Sequence, residues 1–303
     1  MLSNAEIMPR ALTMGLVIPA FNVPYLPMVE PVIAALRAED AFGFIATARL
    51  EWIKFHAHGL AAVMSEYRAH ADPQHAQIHL DHVPVIDEDN QRVNYRPVFE
   101  EALTLGYASI MVDGSRLDLA ENIRATREVA DMAHRLGVAC EGELGAVLGH
   151  EAGPLPDYET LFASGKGFTP VADALAFVQQ TECDWLSVAI GNVHGAIADG
   201  LRDQKKVAAR LNLDHLSKLS AATGIPLVLH GGSGVRQEDV LAGIKRGIAK
   251  INIGTEIRQA YEAGLNEGGV TKGQETVFTR TRWLLHDYLG ISGTAARLLA
   301  PAE

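Results

Sequence analysis

Cysteine is scarce in this chain, and positive charge is outnumbered by negative charge. Only two cysteines, Cys140 and Cys183, occur among 303 residues, which excludes a disulfide scaffold and suits a reducing cytoplasm. Lys and Arg number 26 against 37 Asp and Glu, giving a formal charge of −11. Such a surface should repel phosphodiester backbones, so we expect no nucleic-acid partner.

Long hydrophobic runs are also missing, with one apparent exception near the N-terminus. Residues 11–29 carry no charge, but prolines, a glycine and an asparagine interrupt them. We therefore predict a buried strand and a turn there, rather than a signal peptide or a membrane span. The other apolar runs are shorter than the roughly 20 residues that cross a bilayer. We expect a cytoplasmic protein with no membrane partner.

The composition is otherwise that of a globular protein, with 48% apolar and 21% charged residues. It excludes disordered, collagen-like and coiled-coil chains. The length suits one large domain or two ordinary ones. Because no linker rich in proline, serine or charge divides the sequence, we expect a single domain over residues 1–303, with a C-terminal helical extension from about residue 266.

Short apolar runs recur eight times, and each ends in a polar or glycine-containing tail. They are Val17–Val23, Phe42–Ala48, Ala76–His82, Ala108–Gly114, Gly137–Gly145, Trp185–Gly191, Pro226–Gly232 and Lys250–Thr255. Helical patterns separate most of them, several followed by a glycine cap. Continuous apolar strands imply burial on both faces, as in parallel sheets. Eight such units favour a (β/α)8 TIM barrel of the α/β class, with an open doubly wound sheet as the alternative.

Two segments interrupt this regular pattern. Residues 83–95 are polar and acidic, and residues 146–166 are rich in glycine and proline. Both follow predicted strand ends, where barrel enzymes build their sites. The second segment has a length and composition typical of a functional loop such as a lid.

Polar side chains in the strand tails would meet at one mouth of a barrel. They are His79, Asp81, His82, Asp113, Glu141, Glu143, His194, His230, Asn252 and Thr255. Three histidines from different strands, His82, His194 and His230, match the three protein ligands of a catalytic zinc site; copper, iron and nickel also bind imidazole. A single histidine at a strand end is more often an ordinary hydrogen-bonded residue, so the prediction depends on their joint occurrence.

Glycine-bearing tails end the seventh and eighth strands, as LHGGSG (Leu229–Gly234) and NIGT (Asn252–Thr255). Barrels commonly bind phosphate there through backbone N–H groups and a helix N-terminus. The alternative is simple turn chemistry, because glycine is the usual residue wherever φ is positive.

Six motifs together resemble the class II, metal-dependent ketose-bisphosphate aldolases, which include fructose- and tagatose-bisphosphate aldolases. The motifs are HLDH (79–82), MVDGS (111–115), EGELG (141–145), AIGNVHG (189–195), PLVLHGGSG (226–234) and KINIGTE (250–256). With PAFNV (19–23), the resemblance runs from about residue 15 to about residue 265. It implies reversible cleavage of a phosphorylated ketose to dihydroxyacetone phosphate and an aldehyde through a metal-stabilised enediolate.

The resemblance also implies roles for residues. His82, His194 and His230 correspond to zinc ligands, Asp113 and Glu143 to carboxylates near the metal, and Asp81 and Glu151 to the two groups that move protons. The implied substrate and phosphate contacts are Asn22, Gly195, Gly231, Ser233, Asn252 and Thr255. A sodium or potassium ion binds the glycine loops in relatives, which are usually homodimers or homotetramers. Because Asp81 and His82 are adjacent, the strand must end or twist for both to reach the site.

The sequence departs from the family pattern around the pocket. Arg49 and Glu51 replace a usual serine and glycine, Ala198 replaces a usual lysine, and residues 83–95 differ throughout. Arg49 could bind an anionic group, or could form an ordinary salt bridge. The alternatives are therefore an acidic, deoxy or singly phosphorylated substrate, a related metal-dependent epimerisation or decarboxylation, or a catalytically silent companion subunit.

Overall fold

The protein forms a closed barrel of eight parallel strands surrounded by helices. The computed structural model describes residues 2–145, 158–192, 209–232 and 234–300. The strands are β1 (Ile18–Asn22), β2 (Gly43–Ala48), β3 (Ala76–Pro84), β4 (Ser109–Asp113), β5 (Ala139–Leu144), β6 (Trp185–Val188), β7 (Leu227–Leu229) and β8 (Ile248–Ile253). Each strand pairs with the next in the chain, and β8 pairs with β1, so the sheet has no open edge. The predicted barrel is confirmed, and the doubly wound alternative is wrong.

Helices precede and follow the strands along the chain. They are α1 (Asn4–Met14), α2 (Val29–Ala38), α3 (Arg49–Lys54), α4 (Leu60–His70), α5 (Arg96–Leu105), α6 (Leu119–His134), α7 (Tyr158–Ser164), α8 (Val171–Thr181), α9 (Leu213–Thr223), α10 (Gln237–Ile244), α11 (Thr255–Trp283) and α12 (Ala295–Leu299). A 3₁₀ turn (Leu26–Met28) precedes α2, and a π-helical turn (Leu284–Tyr288) follows α11, which is interrupted at Gly268 and Gly269. Within the described residues, no helix has both the length and the apolar character needed to span a bilayer.

The strands are almost entirely buried because both of their faces are covered. All residues of β1, β2, β5 and β8 are buried, including those that point into the barrel. The uncharged run of residues 11–29 contains the end of α1, all of β1 and the following turn, so the strand expected there is confirmed.

One end of the barrel is sealed by α1. Ile7 and Met8 of this helix are fully buried and belong to the same apolar cluster as Ile18, Phe44 and Trp185 from the strands. Asn4 fixes the helix by donating a hydrogen bond from Nδ2 to Oγ of Ser109, at 2.9 Å. The opposite end, where the strands terminate, is where the polar tails lie.

The two irregular segments follow β3 and β5 as expected. Residues 83–95 include a short antiparallel bridge between Ile86 and Arg92, and the Val85 amide donates to the Asp113 carbonyl. The predicted lid lies largely outside the described residues; its described part contains α7.

Candidate active site

A bulge near the end of β3 places two adjacent side chains at the site. The pairing of β3 with β4 shifts between Leu80 and Val83, and His82 has φ of +24°. In a regular strand, the side chains of Asp81 and His82 would point to opposite faces. The bulge and the unusual backbone angle bring both to the carboxyl end of the barrel, as their sequence positions required.

Asp81 is a buried carboxylate held by amide groups from β1 and β8. Asn22 donates to Oδ2 at 2.8 Å, and Asn252 donates to Oδ1 at 2.9 Å. Burial by itself would raise the pKa of Asp81, but the nearby charge of His82 and the His79 imidazole, whose Nε2 lies 3.7 Å from Oδ1, hold that pKa well below its ordinary value. The group is therefore ionised at neutral pH and oriented through both oxygens.

His82 and His230 face one another across the centre of the site. Nε2 of His82 lies 2.6 Å from Nδ1 of His230, and the two rings are almost perpendicular. On its other side, Nδ1 of His82 lies 3.3 Å from Asp113 Oδ2 and 3.5 Å from Glu143 Oε2. Two lone pairs cannot occupy so short a gap, so a hydrogen must lie between the two nitrogens.

The proton distribution follows from the charges around the pair. Burial would lower the pKa of His82, but the carboxylates of Asp81, Asp113 and Glu143 outweigh it and raise this pKa to about 10. Burial and the charge of His82 lower the pKa of His230 to about 4. His82 therefore holds the proton in the metal-free protein. A metal ligand must be deprotonated, so cation binding would displace that proton.

Glu141 fixes the orientation of the His230 ring from below. His230 donates from Nε2 to Glu141 Oε1 at 2.8 Å, which leaves Nδ1 with its lone pair facing His82. Oε2 of Glu141 accepts from Lys250 at 2.7 Å and from Trp185 at 2.6 Å. Burial opposes ionisation of Glu141, but the charge of Lys250 and the His230 hydrogen bond lower its pKa to about 2. A histidine backed by a carboxylate is the usual arrangement at protein metal sites.

Asp113 and Glu143 form a second carboxylate pair next to His82. Asp113 accepts from the Ser115 hydroxyl at 2.6 Å, and its pKa lies below the ordinary value: burial opposes this, but hydrogen bonds and the charge of His82 prevail. Burial and the charge of Asp113 raise the pKa of Glu143 well above its ordinary value. Oε2 of Glu143 is buried and makes no hydrogen bond within the described chain. An orphaned oxygen of this kind would be satisfied by a cation or a proton.

Two groups of ligand atoms are close enough to bind one ion. Asp81, His82 and His230 form the first, and His82, Asp113 and Glu143 form the second; the ligand atoms of each lie within 4.8 Å of one another. Imidazole and carboxylate together are a donor set suited to zinc and related divalent ions. The described residues therefore fit a metal centre.

Comparison with known proteins agrees with this geometry. The family model for fructose-bisphosphate aldolase class-II matches residues 3–289. The chain belongs to this family. It is thus an aldolase, a carbon–carbon lyase of a metal-dependent family that acts on phosphorylated sugars. The resemblance noted from the sequence is confirmed.

Similar proteins are named as aldolases. A fructose-bisphosphate aldolase of Streptococcus pneumoniae is 35% identical over 254 residues, which are 82% of this chain and 76% of that protein. The Streptococcus pyogenes protein of the same name is 40% identical over 169 residues, 55% of this chain and 52% of its own. Among solved structures, the YdjI aldolase of Escherichia coli K12 has a TM-score of 0.75 at 28% identity, covering 97% of this chain and 100% of that one.

The structure gives positions for most of the aldolase residues predicted from the sequence. Asp81, His82, His230, Asp113, Glu143, Asn22 and Asn252 come together as described above. Gly231 follows His230, Thr255 begins α11 and Arg49 begins α3. The remaining predicted residues, His194, Gly195, Glu151 and Ser233, lie outside the described residues, as does Ala198.

Sequence reasoning assigned no role to the residues beneath the ligands. Lys250 and Trp185 have no predicted role, and His79 and Glu141 are predicted only as strand-tail residues. The signal was present, because residues two apart in a strand share a face. Glu141 lies two residues before Glu143, and Lys250 two before Asn252, so each points into the barrel.

Replacing Lys250 by methionine should destabilise the aldolase strongly. The change leaves the buried Glu141 carboxylate without its ion-pair partner, and removing one member of a buried pair costs about 3–5 kcal/mol. Urea unfolding monitored by circular dichroism would measure this. The matched control is Lys272→Met, because Lys272 pairs with Glu275 at 3.2 Å on the surface and its loss should cost less than about 1 kcal/mol. Equal stability of the two variants would contradict the assigned role.

Proposed function

We propose that this aldolase cleaves a phosphorylated ketose reversibly into dihydroxyacetone phosphate and an aldehyde, with a zinc ion held by His82, His194 and His230. The observation that carries the proposal is the approach of His82 Nε2 and His230 Nδ1 to 2.6 Å, beside the oriented carboxylate of Asp81. His194 completes the three-ligand set on the basis of the family resemblance. Asp113 and Glu143 supply alternative or supporting ligands near His82.

The metal would supply Lewis-acid stabilisation of the negative charge that remains when the carbon–carbon bond breaks. The protein positions two imidazole nitrogens for it, His230 Nδ1 and, once its proton has left, His82 Nε2. Glu141 holds the proton of His230 on Nε2, away from the metal side, and Asp113 lies beside Nδ1 of His82. These contacts favour the ring forms that bind a cation through His82 Nε2 and His230 Nδ1.

Asp81 would take the proton from the substrate hydroxyl at the bond being cleaved. It is ionised and buried, and the amides of Asn22 and Asn252 hold both of its oxygens. A general base must lie within hydrogen-bond reach of the proton that it accepts, and the two amides hold the Asp81 carboxylate in a fixed position for this. In the condensation direction, the protonated Asp81 would return the proton. We assign exchange of the proton at the nucleophilic carbon to Glu151.

The phosphate of dihydroxyacetone phosphate would lie at the ends of β7 and β8. These strands pair with Leu229 opposite Ile251, so the two glycine tails lie side by side. Gly231 has φ of +65°, and a Cβ on Gly232 would lie 2.8 Å from Cδ1 of the Ile251 side chain, so both positions favour glycine. The proposed contacts are Asn22, Gly195, Gly231, Ser233, Asn252 and Thr255, with a sodium or potassium ion bound by the glycine loops.

We further propose a homodimer or homotetramer in the cytoplasm, without nucleic-acid or membrane partners. The formal charge of −11 supports the exclusion of nucleic acid. Cys140 and Cys183 are both free and buried, and burial raises the pKa of each thiol, which supports a reducing compartment without disulfides.

Chelation tests the metal requirement. Dialysis against EDTA should reduce ketose cleavage at least about 10²-fold, because the enediolate charge would lose its main stabilisation. Release of dihydroxyacetone phosphate from fructose and tagatose 1,6-bisphosphates would be followed with a coupled dehydrogenase. Zinc added in excess of chelator should restore the rate, whereas EDTA already saturated with zinc should not inhibit. Full activity in metal-free protein would contradict the proposal.

The same coupled assay identifies the substrate. A panel of phosphorylated ketoses, including acidic, deoxy and singly phosphorylated ones, should contain at least one that releases dihydroxyacetone phosphate. A chain that releases it from none while binding zinc would be the companion subunit instead.

A further inference from the structure

An arginine stands at the open end of the barrel, next to the strand that carries the acid/base group. Strands β2 and β3 pair with Ala48 opposite Asp81, and Arg49 follows Ala48 as the first residue of α3. The chain therefore places Arg49 one residue beyond the level of the Asp81 carboxylate, toward the mouth. Its side chain is 24% exposed, and Nη1 lies beside Asp87 of the segment that follows β3.

Within the described chain, the Arg49 guanidinium has one ion pair and no hydrogen bond. Its Nη1 lies 3.7 Å from Asp87 Oδ2, beyond hydrogen-bond range. Asp87 is instead engaged by its own turn, since its Oδ1 accepts from the amides of Asp89 at 3.1 Å and Gln91 at 2.8 Å. The five N–H donors of the guanidinium thus keep their capacity for an anionic ligand.

The carboxylates around the site make the positive charge of Arg49 important for binding an anionic substrate group. The site carries the carboxylates of Asp81 and Asp113, which would repel a negatively charged substrate group. A second arginine on this side, Arg116, is already used: its Nη1 donates to the Asp87 carbonyl at 2.7 Å and lies 3.2 Å from Asn90 Oδ1. Arg116 therefore holds the loop after β3 in place, whereas Arg49 makes no hydrogen bond within the described residues.

The neighbouring acid does not neutralise Arg49. Glu51 is buried two residues away and accepts from the Ala48 amide at 2.8 Å. Burial raises the pKa of Glu51 to about 8, so this group is mostly uncharged at neutral pH. The positive charge at Arg49 is consequently offset only in part, by Asp87.

We propose that Arg49 binds an anionic group, a carboxylate or a phosphate, at the far end of the aldehyde half of the substrate. The inference rests on the proposed function, because it takes the bond being cleaved to lie at Asp81. Planar guanidinium donors match either anion with two parallel hydrogen bonds. Arg49 is therefore a specificity-determining residue that favours an aldehyde fragment with an anionic end over an uncharged one.

Condensation of dihydroxyacetone phosphate with three aldehydes tests the inference. The acceptors are D-glyceraldehyde 3-phosphate, succinic semialdehyde and uncharged D-glyceraldehyde. Arg49→Ala should raise KM for at least one charged acceptor about ten-fold relative to KM for glyceraldehyde, the size of one partly exposed charge-assisted contact. Arg49→Lys keeps the charge but loses the paired donors, so we expect a smaller rise. The acceptor with the larger change identifies the preferred anion.

A surface arginine provides the matched control. Arg37 pairs with Asp72 at 2.7 Å, and its side chain is 56% exposed, so Arg37→Ala should leave the KM ratios unchanged. Thermal unfolding of each variant would show whether it is folded, and Arg49→Lys decides the test if Arg49→Ala is not. Equal changes for charged and uncharged acceptors, or none, would overturn the inference while leaving the aldolase assignment intact. Wild-type protein that condenses no acceptor would overturn both.

Discussion

Asp81→Asn should reduce turnover about 10²- to 10⁴-fold, the usual contribution of a positioned general acid or base. The substitution keeps the size of the side chain but removes the negative charge that accepts the proton. In the wild-type protein, Asn22 and Asn252 each donate to one oxygen of Asp81, and the substitution replaces that carboxylate by a neutral amide. The effect should be on kcat for ketose cleavage, with zinc content unchanged by elemental analysis.

Asp72→Asn is a suitable control for this prediction. Asp72 is also a carboxylate in an ion pair, with Arg37 at 2.7 Å, but it lies between α4 and the start of β3, at the opposite end of that strand from Asp81. We expect its rate to stay within about two-fold of wild type, since surface pairs contribute little. A near wild-type rate in Asp81→Asn would remove Asp81 from the proton-transfer role.

His230→Ala should abolish tight zinc binding. Mutating a residue that only supports a ligand lowers metal affinity about 10- to 100-fold, so loss of the ligand itself should exceed 10²-fold. Activity should fall in parallel, because the charge left by bond cleavage would lose its stabilisation. Elemental analysis of the purified variant and competition with a fluorescent zinc chelator would measure the change.

His215→Ala separates loss of a ligand from loss of any histidine. His215 is partly buried and has a backbone partner, the Thr169 carbonyl at 2.8 Å from Nε2, and within the described residues it makes no hydrogen bond to His82 or His230. Its zinc stoichiometry should equal that of wild type. Unchanged stoichiometry in His230→Ala as well would show that the ligand assignment is wrong.

The barrel was predictable from the sequence because burial on both faces leaves a direct mark on composition. Runs such as Phe42–Ala48 and Lys250–Thr255 have almost no polar outward positions, and they became β2 and β8 with shifts of at most two residues. The distortion at Asp81 and His82 was also foreseeable, because two adjacent residues of a regular strand cannot both point into the barrel. Its form, a bulge with positive φ, was not.

The support beneath the ligands was less accessible to sequence reasoning. Glu141, Trp185 and Lys250 come from three strands, and their contacts exist only once the barrel has closed with its particular register. A lone buried lysine in an apolar run gives no indication of which carboxylate it will meet. Likewise, the sequence alone does not indicate that Asn22 and Asn252, the predicted substrate contacts, each donate to Asp81.

The helix that closes the amino end of the barrel also constrains the order of events during turnover. Ile7 and Met8 fill that end, so among the described residues the site opens only at the carboxyl ends of the strands. Whichever product fragment lies deeper must depart last, and in the reverse direction it must be loaded first. The order of product release is thus set partly by a segment that never touches the reactants.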